Sequence, residues 1–287
     1  MHTNQWLALE TSTDTLSLAV ARGTHTWTHT SAGGALTSTH MIPQTLALLK
    51  EAGLALTDLQ AVVFGRGPGA FTGLRTACSV AQGLAFGADL SVLPIDTLLA
   101  VAEEARAASA LTGSTPVTRV LAVMDARMEQ VYVAAYEFTP NVANAAGEAS
   151  QMNGTWRCVQ APELHSPESL HWPAEWMQDS CIAAGNAWPV YAGRWPAALT
   201  APQVMALPTA AALLSLAPAA WAAGQAVPPE EALPLYIRDK VAQTTDERMH
   251  IKAQQTALAE QAAQLTQATQ VNDAAHAQHA VSPTIKP

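Results

Sequence analysis

A fully apolar run, Ala61-Val62-Val63-Phe64, feeds Gly65-Arg66-Gly67-Pro68-Gly69-Ala70-Phe71-Thr72-Gly73-Leu74-Arg75, and an Ala-rich stretch follows to Phe86. The glycines and the proline impose a tight turn, with a buried strand before it and a helix after it. Strand, glycine turn and helix together form the unit of an α/β fold. Backbone N–H groups that converge near a helix start can hold an anion. The same small residues also suit a plain turn that lets the helix pack closely, and both readings stand at this point. The run is not a Walker loop, because no Gly-Lys-Ser/Thr follows. Nor is it the dinucleotide fingerprint, because its glycines fall at 65, 67, 69 and 73.

The rest of the chain extends this pattern. Trp6 to Leu9, Leu16 to Ala21 and Thr24 to Thr30 read as strands. Thr39 to Ala52 reads as a helix with Ile42, Leu46 and Leu49 on one stripe and Gly53 as its C-terminal cap. Ser91 to Ile95 is a further strand and Thr97 to Ala108 a third helix. A Ser/Thr/Gly/Pro cluster at Thr112 to Thr118 marks a junction between two lobes. Strands then return at Arg119 to Met124, Val131 to Phe138 and Ile182 to Ala184, with a loop over 139–155. A helix follows at Thr209 to Ala223, and Leu235 to Arg238 is a last ordered piece. Strands followed by helices in each half predict two related lobes. Six of the eight tryptophans lie from Trp156 onward without a Lys/Arg stripe, which favours core plugs over a base-stacking platform.

Composition narrows the functions. The chain has 287 residues, 49% hydrophobic and 13% charged, enough for a sizeable core. A net charge of −9 argues against direct gripping of tRNA or DNA, and against an anionic membrane surface. Cys78, Cys158 and Cys181 lie far apart and give neither a disulfide framework nor a thiolate zinc site. With no signal-like or membrane-spanning segment, a soluble cytoplasmic protein is expected. The Gln/Ala-rich stretch 241–287 reads as a polar, disordered tail.

Two further motifs carry chemistry. Leu9-Glu10-Thr11-Ser12-Thr13-Asp14 sits between two strands, where a carboxylate and small hydroxyls can hold a nucleotide phosphate and metal; a Ser/Thr hairpin turn is the other reading. The position where actin-like ATPases carry Asp holds Glu10. Val123-Met124-Asp125-Ala126-Arg127 also lies between strands, and a turn-fixing Asp125–Arg127 pair is favoured over catalysis. No glycine-rich second phosphate loop, Gly-x-Ser-x-Gly elbow or His-Glu-x-x-His helix is present.

These three motifs, in this order and with Pro234-Leu235-Tyr236-Ile237-Arg238 closing the chain's folded part, resemble the TsaB (YeaZ) family of bacterial tRNA threonylcarbamoyladenosine biosynthesis proteins over roughly residues 5–240. The resemblance implies two actin-like ATPase (ribonuclease H-like) lobes with mixed sheets flanked by helices, at 1–112 and 113–240. It implies an accessory subunit without catalytic residues, cofactor or metal, which pairs with the catalytic paralogue TsaD and with the ATPase TsaE. It meets tRNA only through that complex, and forms a homodimer when alone. An ATP-binding phosphoryl-transfer enzyme of the actin-like group is the alternative. The catalytic paralogue's histidine motif is replaced here by Asp96-Thr97-Leu98-Leu99-Ala100-Val101.

In that family the partner interface is built from two N-lobe helices. Here they carry Ile42, Thr45, Leu46 and Leu49 on one and Ala77, Val80, Ala81 and Leu84 on the other. The same stripes could face the chain's own sheet. The glycine loop (Gly65, Gly67, Pro68, Gly69, Phe71, Thr72, Gly73, Arg75) is then expected to set the second helix at its angle.

Overall fold

The computed structural model describes residues 4–34, 37–111, 117–140, 154–176 and 181–238. Met1–Arg238 cluster as one unit. Most of the expected junction at Thr112–Thr118 and the whole stretch 241–287 lie outside the described residues.

Two five-stranded sheets share one topology. The first contains β1 (Gln5–Glu10), β2 (Thr15–Arg22), β3 (His25–Ala32), β4 (Ala61–Gly67) and β5 (Ser91–Asp96), in the order β3-β2-β1-β4-β5. The second contains β6 (Arg119–Arg127), β7 (Gln130–Pro140), β8 (Gly154–His165), β9 (Cys181–Ala184) and β10 (Gln203–Val204), in the order β10-β9-β6-β7-β8. In each, three antiparallel strands continue into two parallel ones. β1 therefore corresponds to β6 and β4 to β9. This doubled mixed sheet is the actin-like, ribonuclease H-like architecture.

Alternation along the strands decides what covers each face. Leu7, Leu9, Leu16, Leu18, Val62 and Phe64 point to one side and pack under α1 (Thr37–Glu51) and α2 (Phe71–Ala88). Ala8, Ala19 and Ala61 point to the other, where these small side chains let the Ala/Leu-rich α4 (Ala210–Ala222) come close. Thr209 caps α4 by accepting the Ala212 N–H at 3.0 Å, and the Ala210 N–H donates to Ser17 Oγ at 2.9 Å. Although α4 falls in the 113–240 stretch, it packs on the first sheet. The helix α3 (Thr97–Leu111) lays Leu98, Val101 and Ala105 on Val120, Ala122 and Met124 of the second.

The expected glycine cap is present. Gly53 has φ +66°, its N–H donates to Lys50 O at 3.1 Å, and the Leu54 N–H donates to Leu49 O at 2.9 Å. This double bond pattern ends α1. No described helix is long and apolar enough to cross a membrane.

Among the described residues, no α-helix covers the other face of the second sheet. Trp176 and Trp188 are buried there with Leu121, Val131 and Val133, and Trp172 and Trp195 pack against them. These tryptophans plug the core, as the absence of an accompanying Lys/Arg stripe suggested. β8 was not foreseen: none of its residues is fully buried, so they carry no apolar alternation to read.

Candidate functional site

The glycine turn closes over the end of β1. The Glu10 side chain is buried beneath Gly65, so closely that a Cβ at position 65 would lie 1.8 Å from Glu10 Oε2. Oε1 accepts the Ser12 N–H at 2.6 Å. Oε2 has no partner among the described residues. Burial pushes the Glu10 carboxyl above the ordinary carboxylate range, against the pull of hydrogen bonds from Ser12. A Cβ at Gly73 would lie 1.8 Å from Thr11 O, and Thr11 Oγ1 donates to Gly73 O at 2.8 Å. Gly69 lies against Ser12, whose carbonyl accepts the Ala70 N–H at 2.7 Å. The Gly67 N–H donates to Thr97 Oγ1 at 3.1 Å, and Pro68 follows through a cis bond. These contacts lock the start of α2 onto the β1–β2 turn.

The equivalent end of the second sheet is the β6–β7 turn. Asp125, nearly buried, accepts the Arg127 N–H at 2.8 Å and the Tyr191 hydroxyl at 2.8 Å, and pairs with Arg127 Nη1 at 3.1 Å. Burial, reinforced by the bond to Asp125, pushes the Tyr191 phenol up to about 12. The Asp125–Arg127 pair is thus a turn-fixing device. Arg127 also reaches Asp14 of the β1–β2 turn at 2.9 Å, an exposed bridge between the two matching turns.

A strap that sequence reasoning gave no role completes this region. The Leu235 N–H donates to Arg66 O at 2.6 Å. Tyr236 stacks on Phe71 with ring centres 4.7 Å apart, and Arg75 lies over both rings while donating to the Tyr236 hydroxyl at 3.0 Å. Arg238, buried, donates to Ala126 O at 3.0 Å and Arg127 O at 3.1 Å. Pro234–Arg238 therefore runs from the glycine turn to the β6–β7 turn. Its one aromatic, Tyr236, and its one arginine, Arg238, were the readable signal.

The structure sorts the candidate interface residues. Thr45, Leu49, Ala77 and Ala81 are buried in the chain's own core, a correction to their reading as partner-facing. The cause is helical phase: Met41, Thr45 and Leu48 recur at i, i+4 and i+7 and turn to the sheet, with Leu49 beside them. Ile42 and Leu46 lie one residue out of phase and are 44% and 49% exposed. On α2, Val80 and Leu84 are half-buried, packing partly against the core. Phe86, 79% exposed, was missed. Thr72, Ser79, Gly83 and Gly87 are also exposed on α2, and nothing lies within 4 Å of a Cβ built on Gly83 or Gly87.

A nucleotide phosphate with its metal does not fit this glycine turn. The space under Gly65 is filled by the Glu10 carboxyl, which already takes the Ser12 N–H and is driven toward its neutral form. Among the described residues no three His, Cys, Asp or Glu side chains gather as a metal site requires.

Comparison with known proteins bears on the same elements. The family model "TsaD: tRNA N6-adenosine threonylcarbamoyltransferase" matches residues 34–274. The chain is 30% identical over 238 residues to the tRNA threonylcarbamoyladenosine biosynthesis protein TsaB of Escherichia coli (strain K12), covering 82% of this chain and 95% of that one. The protein of the same name from Haemophilus influenzae is 35% identical over 236 residues, covering 82% and 94%. Among solved structures, YeaZ from Pseudomonas aeruginosa matches with a TM-score of 0.68 at 35% identity, over 81% of this chain and 99% of that one.

Proposed function

Because the chain belongs to the TsaB family, a branch of the wider TsaD-type fold, we propose that it is the accessory subunit of the tRNA threonylcarbamoyladenosine transferase complex. In this role it binds and stabilises TsaD through the outward faces of α1 and α2, is joined by TsaE, and carries out no chemistry of its own. The observation that carries the reading is the exposure of Ile42, Leu46 and Phe86 on two helices that cover one face of the first sheet. Large apolar side chains left in water at that density mark a surface that another protein covers. The small residues around them, Ser79, Gly83 and Gly87, allow a partner helix to approach closely. The same face serves a homodimer when TsaD is missing. The net charge of −9 supports contact with tRNA only through the complex. The ATP-binding alternative is opposed by the buried Glu10 carboxyl under the glycine turn.

The test is nucleoside mass spectrometry of tRNA from cells depleted of this protein, with complementation by wild type and by Leu46→Asp. Loss of threonylcarbamoyladenosine, restored by wild type and not by the variant, is expected, together with loss of TsaD co-purification for the variant. Unchanged modification in cells lacking any duplicate copy would overturn the proposal.

A further inference from the structure

A cavity of about 610 Å³ opens between β5, α3, α4 and the paired strands β7 and β8, with Arg66 of the glycine turn on its wall. Its volume lies in the range of small-molecule sites. Leu99, Phe138, Trp156 and Ala220 supply apolar wall, and Arg66, Asp96 and Tyr136 lie among its lining groups.

The wall is held in place from behind. Glu103 is buried and its carboxylate takes Arg106 Nε at 2.9 Å and Nη2 at 2.7 Å, Trp156 Nε1 at 2.9 Å and Ser215 Oγ at 2.6 Å. Its charge and its lone pairs are thereby spent inside the protein, and the indole of Trp156 is fixed in orientation. The Trp156 ring is further set by Phe138, with ring centres 5.1 Å apart, and by Tyr136 at 6.4 Å edge to face. The flat indole of Trp156, preorganised by these neighbours, favours a planar partner.

The polar groups are different, because they are not spent. Arg66 Nε and Asp96 Oδ1 pair at 2.5 Å, and both side chains remain partly open to solvent. One guanidinium against one carboxylate leaves no net charge to satisfy, yet both keep free hydrogen-bonding positions. The Tyr136 side chain is buried and its hydroxyl has no partner among the described residues. Burial, and then the field of Asp96, hold that phenol well above its ordinary value, so it stays a neutral donor. The Tyr136 hydroxyl has no accessible surface, so the set open to a ligand is a carboxylate that accepts and a guanidinium that donates. A wholly apolar ligand would leave both unanswered.

The geometry points to this cavity as a binding site for an uncharged planar nitrogen heterocycle of purine size, its ring against Trp156 and its donor and acceptor edge toward Asp96 and Arg66. A charged ligand is disfavoured because the ionic groups around the cavity are already matched. This site is separate from the α1–α2 face and does not rest on the role given to that face.

Saturation-transfer NMR of the full chain with adenine tests the assignment, with caffeine as the comparison. Caffeine keeps the purine ring system but has no N–H donor, because a carbonyl oxygen replaces the 6-amino group and methyl groups block N1, N3 and N7. Adenine is expected to bind at millimolar concentration or below, and caffeine about fivefold or more weakly, the loss that follows when a hydrogen bond goes unmade. Ala219→Trp, at an exposed α4 position on the cavity rim, is expected to abolish adenine binding while leaving the thermal unfolding midpoint in place. No adenine binding at millimolar concentration, or binding that survives Ala219→Trp, would overturn the assignment.

Discussion

The carboxyl group of Glu10 lies directly under Gly65, where a single methyl group would come within 1.8 Å of Oε2. The glycine turn is therefore shaped around an acid that the chain itself supplies. Gly65→Ala is expected to destabilise the protein by roughly 1–3 kcal/mol, the usual cost of overpacking a tight interior. Glu10→Asp withdraws the carboxyl by one methylene and should recover part of that loss. A double-mutant cycle read by urea unfolding checks this. Strictly additive effects of Gly65→Ala and Glu10→Asp would show that the two do not share this space.

Protonation of Glu10 gives the fold a pH signature. Its folded-state pKa is raised by burial, so the folded protein holds the proton more tightly than the unfolded chain, where a glutamate titrates near roughly 4.3. The stability linked to this group is intact at low pH. It falls as pH rises from the unfolded value through the raised folded one, then levels off. Glu10→Gln keeps the shape and removes the titration. The variant should match wild type near the acid end and exceed it in melting temperature at neutral pH. Thermal melts of both proteins across that window decide the matter, and a variant that is less stable at neutral pH contradicts the assignment.

The two apolar stripes of α1 should separate cleanly. Leu49 is 3% exposed and Leu46 is 49% exposed. Leu49→Ala should cost about 2–5 kcal/mol in stability. Leu46→Ala should remain within about 0.5 kcal/mol of wild type. In sedimentation and co-purification the order reverses: Leu46→Asp and Phe86→Asp should weaken self-association and TsaD binding about tenfold or more while melting temperature holds, as expected of residues at an interface centre. Retained association with both aspartates would remove α1 and α2 from the interface.

Much of this architecture is written in local pattern. Val62 and Phe64 alternate against Ala61 and Val63, and the Gly53 cap of α1 follows from one residue. The helix phase was harder. Met41 and Ile42, or Leu48 and Leu46, are equally apolar, so periodicity gives two stripes and only packing on Leu7 and Leu18 chooses between them. β8 gains its order from pairing with β7 rather than from its own apolar content. The strap was legible as a motif and silent as a contact, because Arg238 meets carbonyls of residues 126 and 127, more than a hundred positions earlier. The Glu10–Gly65 contact is of the same kind: each residue was conspicuous, and their contact belongs to the fold.

The β6–β7 turn supplies the last test. Arg127, Met128 and Glu129 all have positive φ, at 60°, 53° and 62°. Arg127 pairs with Gln130, so Met128 and Glu129 are the two residues of a tight hairpin loop. Such loops call for positive φ at both central positions and normally place Asn or Gly there. Here the strained backbone is held instead by side chains: Asp125 takes the Arg127 N–H, and Arg238 reaches the carbonyls of Ala126 and Arg127. A left-handed residue costs roughly 1–2 kcal/mol, and glycine relieves most of it. Glu129 also pairs with Arg194 and Arg194 with Glu168, but these are exposed contacts and contribute little. Glu129→Ala removes the pair and keeps the strain; Glu129→Gly removes both. The glycine variant should therefore be about 1 kcal/mol more stable than the alanine variant, opposite to the order found in a helix or strand. Arg238→Ala should destabilise by about 2–3 kcal/mol, and combined with Glu129→Gly by less than the sum expected from Arg238→Ala and the glycine effect taken separately, since a relaxed turn has less need of its clamp. Urea unfolding of the wild type and the four variants reads both differences, and an alanine variant as stable as the glycine one would show that the turn is not strained.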